Sequence, residues 1–294
     1  MKSPPTNQPM AGTPQLELGM PITAQEFGEL KSFIYQELGI HLTEEKKSLL
    51  VGRLQGLARA KGVNNFHDYL QCVKSDHTGL EMKVFADRIS THHTFFNREP
   101  EHFEFLKTTV LPEIIRNLKA KNQRDIRLWC AAASSGEEPY TLAMVLREAL
   151  GQEFASWEAG LLATDLSDPV LDKARLGFYP DDQVLSLGKA RVDKFFRKVQ
   201  DGYEVQPFLK KDLTYRRFNL VSPSYPFKKP FDVIFCRNVL IYFDQATKDK
   251  VVANLSSFLK PGGYLFVGHS ESLGRGQETL RYVRPAVYRK SGAA

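Results

Sequence analysis

The sequence predicts an α/β fold. A parallel sheet covered by helices is preceded by an all-helical domain and carries a small antiparallel β-insertion. Three observations lead there. From Thr23 to about Ile89 the pattern is helical and strand-free. From Glu101 onward short apolar runs alternate with helical ones, which implies parallel strands with helices on both faces. Between Phe195 and Phe218 that alternation breaks into a hairpin pattern.

In chain order, residues 1–20 hold Pro4, Pro5, Pro9 and Pro14 with no apolar period, which predicts a disordered tail. The helical domain is expected over residues 21–92. Thr23 can cap a first helix that runs through Leu38 and stops at Gly39. Thr43, followed by Glu44 and Glu45, can cap a second that stops near Gly62. A third is expected from Asn65 to Val73 and a fourth from Leu80 to Ile89. Helices this short gain stability mainly from packing together, so they predict a small bundle.

The α/β domain is expected over 93–294. Its strands are Ile126–Ala132, Gly160–Leu166, Phe231–Asn238 and Gly263–Gly268; its helices are Pro139–Leu150, Pro169–Arg175 and Gln245–Leu259. Within it, Lys198–Val205 reads as a hairpin turning at Asp201-Gly202, with Tyr215–Phe218 as a third strand, giving an inserted β-subdomain over 195–218.

Composition narrows the class. The net charge of +6 is too mild to demand nucleic acid. There is no apolar targeting segment after Lys2 and no apolar run near the ~18 residues a membrane span needs. Cys72, Cys130 and Cys236 are odd in number and far apart, and two fall in buried strands, so all three are read as reduced. A cytoplasmic monomer without membrane insertion is expected.

The chemistry concentrates in Arg127–Tyr140. A buried strand leads into a turn with one glycine, Gly136, and two acids, Glu137 and Glu138, before a helix near Pro139. That is the crossover at which α/β sheets bind nucleotides. A pyrophosphate would be repelled by the two acids, whereas a ligand bearing a sulfonium and an ammonium would be attracted; S-adenosylmethionine fits. Asp165, ending the next strand, is placed to take ribose hydroxyls, with helix capping as the bland alternative.

Four segments in order resemble the chemotaxis receptor methyltransferases, the CheR family: Thr91–Glu99, Ser134–Tyr140, Phe235–Asp244 and Gly268–Glu271. The resemblance spans nearly all of residues 23–290. It implies a Rossmann-like S-adenosylmethionine-dependent methyltransferase domain with a β-subdomain inserted, behind a helical domain. It also implies methyl transfer to receptor glutamates in a signal-transduction pathway, with S-adenosylhomocysteine as product. Carried over by position, the cofactor would be held by His92, Thr94 and Arg98 from the linker, by Glu138 and Asp165, and by Asn219-Leu220 and Asn238-Val239. The alternative for both asparagines is a turn residue bonding its own backbone. Two positions depart from the family pattern: His92 stands where Asn is usual, and Asn97 alters the linker. His92, His93 and His102 match no common ligand spacing, so no metal is expected.

No catalytic base is visible, and none is needed. A glutamate of pKa ~4.3 is already an anionic nucleophile at neutral pH. The work is alignment of oxygen, methyl and sulfur at ~3 Å. Arg98 is expected to orient the incoming carboxylate, and Tyr242 to face the sulfonium or the substrate unless it is simply a core tyrosine. Arg237 is read as a structural ion-pair partner.

The run 46–61 is basic, and the resemblance turns its helix toward the acidic receptor. Arg53 and Arg59 are the expected substrate contacts, against a plain solvated face. The hairpin loop Gln200–Tyr203 is too short for the glycine-containing loop with which some family members grip a receptor pentapeptide, so no tether is expected. A nucleic-acid N-methyltransferase is disfavoured, because the relevant strand ends Cys236-Arg-Asn-Val239 instead of carrying an Asn/Asp-Pro-Pro-Tyr motif. A non-catalytic cofactor-binding adaptor, disabled through His92 and Asn97, is the second reading.

Overall fold

Thr23 opens the first helix, α1 (Ala24–Leu38), with a reciprocal cap: its hydroxyl accepts from the Glu26 amide while Glu26 reaches back to the Thr23 amide. Glu26 also accepts from the amides of Phe66 and His67, so the same carboxylate ties α1 to α3 (Phe66–Ser75). Between them runs α2 (Lys47–Ala60), and α4 (Leu80–Ile89) completes the bundle. Thr43 does not cap α2; a 3-10 turn at Glu44–Lys46 intervenes and its side chain makes no capping bond. Phe27, Leu30, Ile34, Leu54, Tyr69 and Phe85 fill the core of this domain.

The computed structural model describes residues 19–274 and 279–292. The expected disordered tail lies outside the described residues apart from Gly19 and Met20, and Met20 is buried on the bundle. Among the described residues no helix is long and apolar enough to cross a membrane.

After α4 the chain crosses to a helix that sequence periodicity left unassigned. It starts as α5 (Pro100–Phe105), passes a π-helical turn at Leu106–Val110 and continues as α6 (Leu111–Ala120). The α/β domain then unfolds in order: β1 (Asp125–Ala131), α7 (Glu137–Leu150), β2 (Glu158–Asp165), α8 (Asp168–Leu176) and β3 (Phe178–Tyr179). Short helices α9 (Asp181–Val184) and α10 (Lys189–Phe195) lead to β4 (Phe196–Val199) and β5 (Gly202–Val205), and α11 (Pro207–Lys210) to β6 (Leu213–Arg217). The chain ends with β7 (Phe231–Cys236), α12 (Gln245–Ser257), β8 (Leu259–Phe266), β9 (Leu280–Arg284) and β10 (Val287–Lys290).

The main sheet has the order β6-β2-β1-β7-β8-β10-β9, with the first five strands parallel and the last two antiparallel. Side chains alternate across it. Leu128 and Cys130 enter one apolar layer while Trp129 and Ala131 enter the other, and β7 repeats this with Val233 and Phe235 against Ile234 and Cys236. Both faces are therefore covered, as a buried parallel sheet requires. Cys130, Cys236 and Cys72 are all free thiols.

One expectation fails here. Residues 215–218 do not extend the small sheet: β6 pairs in parallel with β2 in the main sheet, from Leu161 opposite Leu213 to Asp165 opposite Arg217. The third strand of the small sheet is instead β3, giving the order β3-β5-β4. The reason is burial: Leu213 and Tyr215 point into the large core, which outweighs their sequence proximity to the hairpin.

Candidate active site

The sheet order reverses direction between β1 and β7, the place where such sheets bind ligands outside their strand ends. The turn leaving β1 is unusually tight. Ala132 and Ser134 have φ of 71° and 48°, and Gly136 has 103°. A Cβ at Gly136 would lie 2.6 Å from the Tyr179 hydroxyl and 2.9 Å from the Ala174 Cβ. The Tyr179 hydroxyl in turn donates to the Ser135 carbonyl at 2.7 Å. Of seven non-glycine residues with positive φ among the described residues, five (Asn97, Glu99, Ala132, Ser134 and Asn238) border this region. Such backbone costs about 1–3 kcal/mol per residue and persists where its surroundings impose it, often at functional sites.

Asp165 closes the turn from below. Its Oδ2 accepts from the Ser134 amide at 2.8 Å and its Oδ1 from the Ser167 amide at 3.0 Å. Helix α8 is capped by Ser167, which leaves Asp165 outside the capping role. Burial pushes the Asp165 carboxyl above its ordinary range despite these bonds.

Behind the turn sits a buried ion network. Arg237, its side chain fully enclosed, reaches Glu138 at 2.7 Å, Glu99 at 2.9 Å and the Arg98 carbonyl at 2.6 Å. The ordinary cost of burying a guanidinium is offset by two carboxylates. Their titration diverges. Burial raises Glu138 more than Arg237 lowers it, whereas Glu99, also raised by burial, is pulled below its ordinary value by Arg237. Glu138 takes a further bond from the Cys130 thiol at 3.2 Å. Glu271, fully buried, accepts from the amides of Asn238, Gly268 and Ile241 and so fixes the exit from β7.

The front wall comes from the helical domain. Ile40 and Phe243 form an antiparallel bridge, and the His41 amide donates to the Tyr242 carbonyl at 2.8 Å. The Asn219 side chain donates to the Glu37 carbonyl at 2.8 Å, and the Tyr35 hydroxyl to Asp244 at 2.9 Å. On the other flank Ser167 hydrogen-bonds Asp87 of α4. Arg53 of α2 holds the linker itself, donating to the carbonyl of Ile89 and to the Thr91 hydroxyl.

These parts enclose a cavity of about 690 Å³. His92, Thr94, Arg98, Glu138, Asp165, Asn219, Leu220, Asn238, Val239 and Tyr242 all line it, as does Arg53. Arg59 does not; it lies exposed on α2. Several side chains are already engaged. The Asn219 amide is committed to the domain seam and to the Val221 amide, as a turn asparagine would be. Arg98 donates to the His93 carbonyl at 2.9 Å and stacks over Phe95. His92 lies 3.8 Å from Asp87, and His93 packs on Phe95, so neither joins His102. Leu38, His41, Lys46 and Leu49 also line the cavity and escaped sequence reasoning, because nothing local marks a helical domain as half of a pocket.

The size suits a nucleoside joined to an amino acid. The donor set is right for a cation: two carboxylates, the buried Asp165 and the part-buried Glu138, beside the apolar Leu220 and Val239. Fold and site together define an S-adenosylmethionine-binding methyltransferase with an all-helical leading domain. The sequence profile of the CheR methyltransferase SAM-binding domain matches residues 92–288, and that of the CheR all-alpha domain matches 25–90. A chemotaxis protein methyltransferase of Borreliella burgdorferi is 39% identical over 94% of this chain and 98% of its own. That of Escherichia coli is 33% identical over 88% of each. The chain belongs to the CheR methyltransferase family.

Proposed function

We propose that the chain methylates glutamate side chains on the cytoplasmic helices of chemoreceptors, forming glutamyl methyl esters. One observation carries the reading: the residues matched to the family motifs converge on a single cavity lined on one side by the α1–α2 segment from Leu38 to Arg53, with the exposed Lys46 at its mouth and Arg53 in its wall. An acidic helix approaching that mouth meets positive charge before it meets the cofactor. When bound, S-adenosylmethionine supplies a methyl group on a sulfonium, which passes to a carboxylate oxygen and leaves S-adenosylhomocysteine.

The chain's own residues position and shield. Glu138 and Asp165 offer negative charge to the cofactor's amino group and ribose. Arg98, four residues past Thr94 in the linker and itself lining the cavity, orients the incoming carboxylate, and Tyr242 closes the opposite side. The helical domain excludes water from the nucleophile, which favours a step in which opposite charges vanish. Arg53 acts in two ways: its charge faces an acidic partner, and its hydrogen bonds hold the linker that carries His92, Thr94 and Arg98. Arg59, exposed on the same helix, is a second contact for the receptor. The β4–β5 hairpin turns through Gln200-Asp201 with pairing retained up to Val199 opposite Gly202, which supports methylation without a pentapeptide tether.

The test is transfer of labelled methyl from S-adenosylmethionine to receptor cytoplasmic fragments, with and without their last five residues. Base-labile label on both forms, lost when receptor glutamates are changed to glutamine, is the expected result. Tight S-adenosylhomocysteine binding with no transfer to any fragment would move the chain to the adaptor reading.

A further inference from the structure

His102 is 1% exposed, and neither of its ring nitrogens has a hydrogen-bond partner. A buried imidazole left unsatisfied at both nitrogens is costly and calls for a reason. It stands one helical turn beyond Glu99, with its Nδ1 3.3 Å from Glu99 Oε2. Its ring meets that of His269 edge to face, centroids 4.7 Å apart. One donor atom from each of Glu99, His102 and His269 lies within 4.8 Å of the others.

We propose that Glu99, His102 and His269 form a binding site for a divalent cation of the zinc class, set directly behind the cofactor cavity. Two imidazoles and one carboxylate are the donor set of Zn²⁺, Co²⁺ or Ni²⁺; Ca²⁺ and Mg²⁺ prefer all-oxygen surroundings. The site has an entry, since the His269 side chain is 45% exposed. It also has an outer carboxylate: Glu101 Oε1 lies 2.7 Å from His269 Nε2, which orients that ring. Arg237 shares Glu99, and the charge of Arg284 also reaches His102. Against these cations stand Glu99, Glu101 and Glu138. An ion there competes with Arg237 for Glu99, and Arg237 is what holds Glu138 at the cavity wall.

The experiment uses the full chain stripped with a chelator and without cofactor, so its outcome is independent of the methyltransferase reading. Calorimetric titration with zinc chloride should show one saturable site per chain. The cobalt(II) adduct should show the visible ligand-field bands of nitrogen ligation. His269→Ala and His269→Gln, at a partly exposed position, should each weaken zinc binding at least about tenfold. His77→Ala, exposed on the helical domain, should leave it unchanged. No saturable binding, or affinity unchanged in a folded His269 variant, overturns the proposal.

Discussion

Replacing Arg237 with leucine should reveal how much of the fold's stability rests on the site's ion network. The guanidinium is fully enclosed and bonds two carboxylates and one carbonyl. Removing one member of a buried pair usually costs about 3–5 kcal/mol, because the remaining charge stays desolvated. Glu138 can take a proton, which caps the loss near the lower end, about 3 kcal/mol. For a domain of this size that lowers Tm by roughly 6–12 °C at ~2–4 °C per kcal/mol. Urea unfolding at two pH values tests the mechanism. With Arg237 gone, the folded pKa values of Glu138 and Glu99 lie above their unfolded values. The penalty is then fully present above the folded pKa and vanishes below the unfolded one, near ~4.3. The deficit between variant and wild type should shrink as pH falls from about 7 to about 5. A deficit under about 1 kcal/mol, or one that does not narrow on acidification, refutes the argument. Adding Glu138→Gln to the variant should recover part of the loss.

Three further outcomes are expected. Because burial raises Glu138 and Asp165, the cavity loses negative charge as pH falls toward about 5. S-adenosylmethionine should therefore bind more weakly there than at about 7, with a steeper decline than S-adenosylhomocysteine, which lacks the sulfonium. Parallel calorimetric pH series would show it, and flat curves would rule it out. Gly136→Ala places a methyl 2.6 Å from the Tyr179 hydroxyl at φ of 103°. It should cost at least about 2 kcal/mol in thermal unfolding and abolish cofactor binding. Thr23→Ala removes one half of the α1 cap and should cost about 1 kcal/mol by guanidinium unfolding, with cofactor affinity preserved.

The elements with strong local punctuation were readable from the sequence. Thr23 and Gly39 bracket α1, Asn65 caps α3, and the apolar runs of β1, β2 and β7 fall within two residues of where they were expected. The misses have physical causes. Leu213–Arg217 carries the alternation of any half-buried strand, and only the core decides which sheet receives it. The long α5–α6 helix is interrupted by a π-helical turn that upsets its period. At the site, motif matching found the linker and strand-end residues, whose positions follow from the chain. It could not find the grouping of Glu99 and His102 with His269, because the two segments meet only when β8 lies beside β7. Nor could it foresee that Asn219 would be spent on the domain seam. Asn97 has a backbone reason as well: its φ of 60° is one that asparagine tolerates better than most residues.

The cofactor cavity belongs wholly to neither domain. Its floor is the sheet, its front wall is the α1–α2 connection with the start of α2, and the seam between them is the Ile40–Phe243 bridge and a handful of polar bonds. A ligand lodged there is mortar between two blocks. Each domain has its own apolar core, so without ligand the chain should unfold as two loosely joined units. With S-adenosylhomocysteine bound, the linkage energy falls on both at once and their transitions should rise together. A substrate that presses on the helical domain thus also reports, through that joint, on whether the methyl donor is in place.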